Sequence, residues 1–333
     1  MKTSLKASLS TKKTLLILSV ICVVLGAVSC ILGGFGEFIL PIVIANLAAI
    51  YLYDKKRTCA LIVSGILIAF NVAGVLLGLN VSFFSLAAIV TAVIIAAAYS
   101  KGQSKSDAAF LSTVIYALLT VCGMMLLGMM VSKEFSFDAA VSYWTGIYDE
   151  LRGVFVKGLD DVLVLFQSVY DESEMAYLSE VLHEMVNISF ALIIYYLVIG
   201  AFTVVGFSMK AFGFIVKRCA EDNTEIKNWR FATSSVYAYF YLALSLASIF
   251  VMSVDNIFGV AVLNLYYIFN AVYIYVGFKA AIELLRKKLH PALCYLIVIA
   301  ALLLMSGLAS QILSVIGVIY TFSNNRKLAS HGE

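Results

Sequence analysis

Charge is what this chain has least of. Asp, Glu, Lys and Arg make up 13% of its 333 residues, about half their share in a soluble domain. Prolines stand only at 41 and 291, so little interrupts long helices between them. The six cysteines include no Cys-x-x-Cys and the three histidines are scattered. That spacing excludes a zinc site or a redox motif, and the cysteines read as small apolar residues. Gly-x-Ser-x-Gly, His-Glu-x-x-His and lysine-bearing phosphate loops are missing as well. The glycine-rich "GGFGEF" at 33–38 follows no strand and precedes no lysine, so it reads as a turn. The expectation is a protein that is not an enzyme and needs no cofactor or metal.

What the chain has instead is apolar length. Hydrophobic residues reach 62% and the mean hydropathy is +1.00. Runs of about 20 apolar residues match the roughly 30 Å hydrocarbon core when helical. The strict in-out alternation of a membrane β-barrel is missing. The fold class is therefore all-α, a polytopic helical transmembrane bundle of about nine spans, eight to ten in range. The spans fall near 14–34, 37–53, 59–79, 81–99, 109–132, 187–216, 233–253, 256–279 and 292–320. "KKTLLILSVICVVLGAVSC" has the look of a lipoprotein leader ending before Cys30. The apolar "ILGGFGEFILP" that follows is no polar tether, so an uncleaved first span is expected.

Basic residues resist translocation and so report orientation. They cluster in the N-terminal tail (Lys2 to Lys13), at Lys55–Arg57, at Lys101 and Lys105, around Lys210–Arg230 and at Lys279–Lys288. These groups fall on one side if every span crosses. That side is read as the cytoplasm, giving a multi-pass cell-membrane protein with a cytoplasmic N-terminus. Arg326 and Lys327 fall on the wrong side of an odd count, which keeps eight or ten spans open.

Between Lys133 and Val186 stand eleven acidic residues and only three basic ones. Within that stretch Ile147, Leu151, Val154, Phe155, Val162, Leu165, Phe166 and Val169 recur at three- and four-residue steps, one face of a helix. This predicts an extracytoplasmic amphipathic helical insertion, with its apolar face expected to pack on the outer mouth of the bundle or on a partner. The domains expected are an N-terminal bundle, 1–132, the acidic segment, 133–186, and a C-terminal bundle, 187–333.

Polar side chains inside a bilayer are costly and so mark candidate sites. Glu37, Asn71, Asn264 and Gln311 fall in or near the outer half of their spans, and Asn270 nearer the midplane. If their helices converge, these five line a ligand cavity open to the outside. Asparagine in a membrane helix also serves as interhelical glue, and both roles stay open. The expected partners are the lipid bilayer, a second membrane protein and an unidentified small molecule. The basic loops are too short for nucleic acid.

The stretch "VLNLYYIFNAVYIYVGFKAAIELLRKKL", followed by a last run ending "ILSVIGVIYTFSNNRKL" with Gly317 and Arg326, resembles the YybS-like family of uncharacterised bacterial membrane proteins. That family is in turn similar to the S components of energy-coupling-factor transporters. The resemblance implies a small-molecule-binding subunit or a transporter-like protein with an outward-opening site. S components dock through an Ala-x-x-x-Ala face on their first helix, whose nearest equivalent here is Ala45 and Ala49 in span two. The alternative is a membrane scaffold or assembly partner that transports nothing.

Overall fold

The computed structural model describes residues 2–32, 36, 38–76, 84–167, 169–219, 234–250 and 256–330. Among them are twelve helices. They are α1 (Lys2–Leu32), α2 (Leu40–Tyr53), α3 (Thr58–Leu76), α4 (Phe84–Ser100), α5 (Lys105–Ser132) and α6 (Phe137–Phe166). After them come α7 (Glu172–Ala191), α8 (Ile193–Cys219), α9 (Ser235–Phe250), α10 (Ile257–Leu285), α11 (Pro291–Leu304) and α12 (Ser306–Ser330). Five segments are long and apolar enough to cross a membrane, within α1, α5, α8, α10 and α12. Five shorter apolar helices accompany them.

Local chemistry sets many of the boundaries. Pro41 and Pro291 open α2 and α11, where a missing N–H costs nothing. The Ser104 hydroxyl caps α5 by accepting the Asp107 N–H at 3.1 Å. Asn256 does the same for α10 through the Gly259 N–H at 2.6 Å. Asp171 and Glu174 form a reciprocal capping box at the start of α7. The backbone N–H of Glu174 and the Ser173 hydroxyl hold the Asp171 carboxyl below its ordinary pKa. Asp54 accepts backbone N–H groups from Lys56, Cys59 and Ala60 at 3.2, 2.7 and 3.1 Å. It thereby anchors the start of α3 inside the basic "DKKR" loop.

The chain divides into two compact units, residues 1–154 with 200–231, and residues 155–199 with 232–333. In the first, α2 is the core, packed by α1, α3 and α4, with Ala45 and Ala49 fully buried. Those two alanines are interior packing, not a free docking face. Helix α6 turns back onto α5 where Gly128 lets Ala140 and Trp144 approach. The Trp144 indole N–H donates to the Met124 carbonyl at 2.7 Å.

In the second unit α10 and α12 make the closest pairing. Gly277 and Gly317 meet backbone to backbone. Further along both helices the Tyr320 hydroxyl donates to the Glu283 carboxylate at 2.9 Å. Between them α11 folds back along α10, burying Cys294 and Val298 against Ile282. The apolar run 292–320 is therefore two helices, broken at Met305 (φ −131°, ψ 45°). Ser306 and Gly307 are poor helix formers, but an unbroken apolar run conceals them. The same happens at Leu192, where α7 ends and α8 begins, inside the expected span 187–216.

Candidate functional site

Asn264 sits in α10 with 3% of its surface exposed. Its Nδ2 donates to the Ala191 carbonyl at 2.9 Å and to the Val260 carbonyl at 2.8 Å. Its Oδ1 accepts the Tyr195 N–H at 2.8 Å. The break at Leu192 frees backbone groups that a continuous helix would pair internally, and Asn264 satisfies one on each side. Both of its N–H donors and one of its acceptor lone pairs are thereby engaged.

Asn270, half-buried on the same helix, accepts the Tyr241 hydroxyl at 2.8 Å. Tyr241 in turn stacks on Tyr273 at 4.8 Å and on Tyr266 at 6.1 Å. The Tyr273 hydroxyl is buried without a hydrogen-bond partner. Gln311 is exposed on α12. These three positions and Asn264 belong to the second unit. Asn71 belongs to the first, where its Nδ2 lies 3.5 Å from the Cys30 sulfur and its Oδ1 has no partner. Asn46, also in the first unit, donates to the carbonyl of Ile42 in its own helix at 2.8 Å. Glu37 lies outside the described residues.

The acidic segment differs from expectation in a way that matters for function. Its apolar face is largely open. Phe155 is 60% exposed, and Val154, Leu165 and Val169 are exposed too; of the stripe's neighbours only Leu163 is buried. From residue 155 onward α6 forms an antiparallel hairpin with α7. Phe155 meets Phe190 edge-on at 5.6 Å, and Asp160 meets the Nε2 of His183 at 3.1 Å. His183 Nδ1 stands 2.7 Å from the Ser179 carbonyl oxygen one turn earlier.

Beside these two cross-links the helices stand apart and leave an open cleft of about 500 Å³. Helix α6 contributes Phe155 and Leu159 to its wall. Helix α7 contributes Leu182, Met185, Val186, Ser189 and Phe190, a three-and-four stripe along one face. The stripe continues past the break to Ile193 and Tyr196 in the first turn of α8. Ser189 adds little polarity, because its hydroxyl donates to the Met185 carbonyl at 2.8 Å. The cleft can hold an apolar body; it offers no pair of groups for acid–base work. Among the described residues no three His, Cys, Asp or Glu side chains cluster as a metal site.

Sequence reasoning placed an amphipathic face on α6 and a second such stretch at Met175–Met185, but ended the second short of the break at Leu192. The spacing 182, 185, 186, 189, 190, 193 carries that signal, obscured by the merger of its end into span six. Asp54 was missed as well, since one acid among three basic residues reads as loop polarity.

Among the described residues twelve helices, five of them long and apolar enough to span, define a helical integral membrane protein. The family described as "Predicted membrane protein (DUF2232)" matches residues 17–319, and the chain belongs to it. No curated protein and no solved structure matches the chain.

Proposed function

We propose that this protein is a binding subunit of the cell membrane that takes an apolar small molecule in the cleft between α6 and α7, on the extracytoplasmic side. The N-terminus and the basic loops lie in the cytoplasm in this reading. One observation carries it: a cleft of about 500 Å³ walled by apolar side chains of three helices, inside the roughly 300–1,000 Å³ range of ligand pockets. The role is binding, with no chemical step assigned. A YybS-like kinship, and through it a distant one to transporter S components, is compatible with such a role. The buried Ala45 and Ala49 leave docking on a transport partner to some other face.

The scaffold reading draws support from Asn264 and Asn270, both hydrogen-bonded within the second unit. A thermal-shift screen of the purified protein separates the readings. Apolar compounds at a hundredfold excess over Kd should stabilise it by about 2.7 kcal/mol. Leu182→Arg, which puts charge into the cleft, should remove that gain. Stabilisation by polar metabolites alone, lost in Glu37→Gln or Asn71→Leu, would move the site to the polar positions. A flat response to every compound would favour the scaffold.

A further inference from the structure

Two residues of the cleft wall, Ile193 and Tyr196, lie on a helix long and apolar enough to span a membrane. Resting on the binding role above, we infer that the cleft's occupant is one hydrocarbon chain of an outer-leaflet phospholipid with a zwitterionic, ammonium-bearing headgroup. Three observations lead there. The wall from Leu182 to Tyr196 covers fifteen residues, about 21 Å at the helical rise. A lipid chain spans one leaflet, about 15 Å of the roughly 30 Å core, so it fits lengthwise.

The second observation is continuity. Ile193 and Tyr196 belong both to the cleft wall and to the first turn of α8, a helix long and apolar enough to span. Both side chains are exposed. Beside them Tyr195 packs on Tyr196 at 5.1 Å and on Tyr267 at 5.7 Å, the aromatic grouping found at membrane interfaces. A chain can thus leave the leaflet along α8 and enter the cleft without crossing water. A water-soluble ligand would need polar groups to orient it, and the wall gives it only Ser189, already bonded to its own helix, and Tyr196.

The third is charge. Asp160, Asp161, Glu180 and Glu184 stand on the two helices that frame the cleft, against Lys157 and His183, and the stretch from 133 to 186 has eleven acids to three basic residues. Such a rim repels an anionic headgroup and attracts an ammonium. Amphipathic helices that bind anionic lipid carry the opposite sign on their polar face.

The test uses the full-length protein, delipidated and reconstituted with phosphatidylethanolamine carrying a photoactivatable diazirine at its chain end. Adducts should map to α7 between Leu182 and Phe190, beyond the lipid belt of the spanning helices. In native mass spectrometry one phosphatidylethanolamine should stay bound after belt lipids are stripped, and phosphatidylglycerol should bind about tenfold more weakly. Ser189→Trp, which fills the cleft, should reduce retention by a similar factor. Adducts confined to the spanning helices would mean annular lipid only and overturn the inference; so would equal retention by Ser189→Trp, or displacement of the phospholipid by an equimolar diacylated lipopeptide. If apolar compounds stabilise the protein but no lipid adduct forms in the cleft, this inference fails and the binding role stands. If nothing apolar stabilises it, both fall.

Discussion

Gly317→Leu is expected to unfold the second unit. A Cβ at position 317 would fall on the Tyr273 carbonyl oxygen, and one at 277 on that of Leu313. Both obstacles are backbone, so no rotamer change relieves them. Overpacking a well-filled interior costs about 1–3 kcal/mol when side chains can give way, and here they cannot. The loss should exceed about 3 kcal/mol, most of the stability of a marginal domain. Gly317→Ala should act in the same direction with a smaller loss. Gly307 on the same helix has nothing within 4 Å of its virtual Cβ, so Gly307→Ala should stay within about 0.5 kcal/mol of the parent. Thermal unfolding of the three variants in one detergent reads the difference. Equal loss at 307 and 317 would mean that α10 and α12 are not in close contact.

The second large effect is at the break between α7 and α8. Asn264→Leu keeps the approximate volume but leaves the Tyr195 N–H and the Ala191 carbonyl without the partner that Asn264 supplies. Each orphaned buried group costs about 1–3 kcal/mol, so a loss of about 2–5 kcal/mol is expected. Asn71→Leu provides the contrast. Its Oδ1 already lacks a partner and its Nδ2 meets only a cysteine sulfur, so removing it should cost under about 1 kcal/mol. Hydrogen exchange at the Tyr195 amide is a local readout, and it should accelerate in Asn264→Leu alone. Matching stability of the two leucine variants would show that the break is held by packing and not by the amide.

How much of this was legible follows one physical rule. Features that depend on neighbours in sequence were readable, and features that depend on distant partners were not. The two prolines at helix starts and the acidic amphipathic face of α6 are local patterns, and both lie where the sequence places them. The breaks at Leu192 and Met305 are hidden because leucine, isoleucine and methionine suit a continuous helix and a broken one equally. What holds the first break is Asn264, some seventy residues away. Sequence marked Asn264 as unusual, which it is, but could not say whether its amide faces a ligand or a backbone.

The central claim is that the α6–α7 cleft opens outside the cell while every basic loop stays within. Single cysteines in a cysteine-free background test it, with an impermeant maleimide applied to intact cells. Gln167→Cys, exposed at the tip of the hairpin, should label at once. Lys56→Cys and Lys287→Cys should label only after permeabilisation. Labelling of Lys287→Cys from outside with Gln167→Cys silent would contradict the account and turn the cleft toward the cytoplasm.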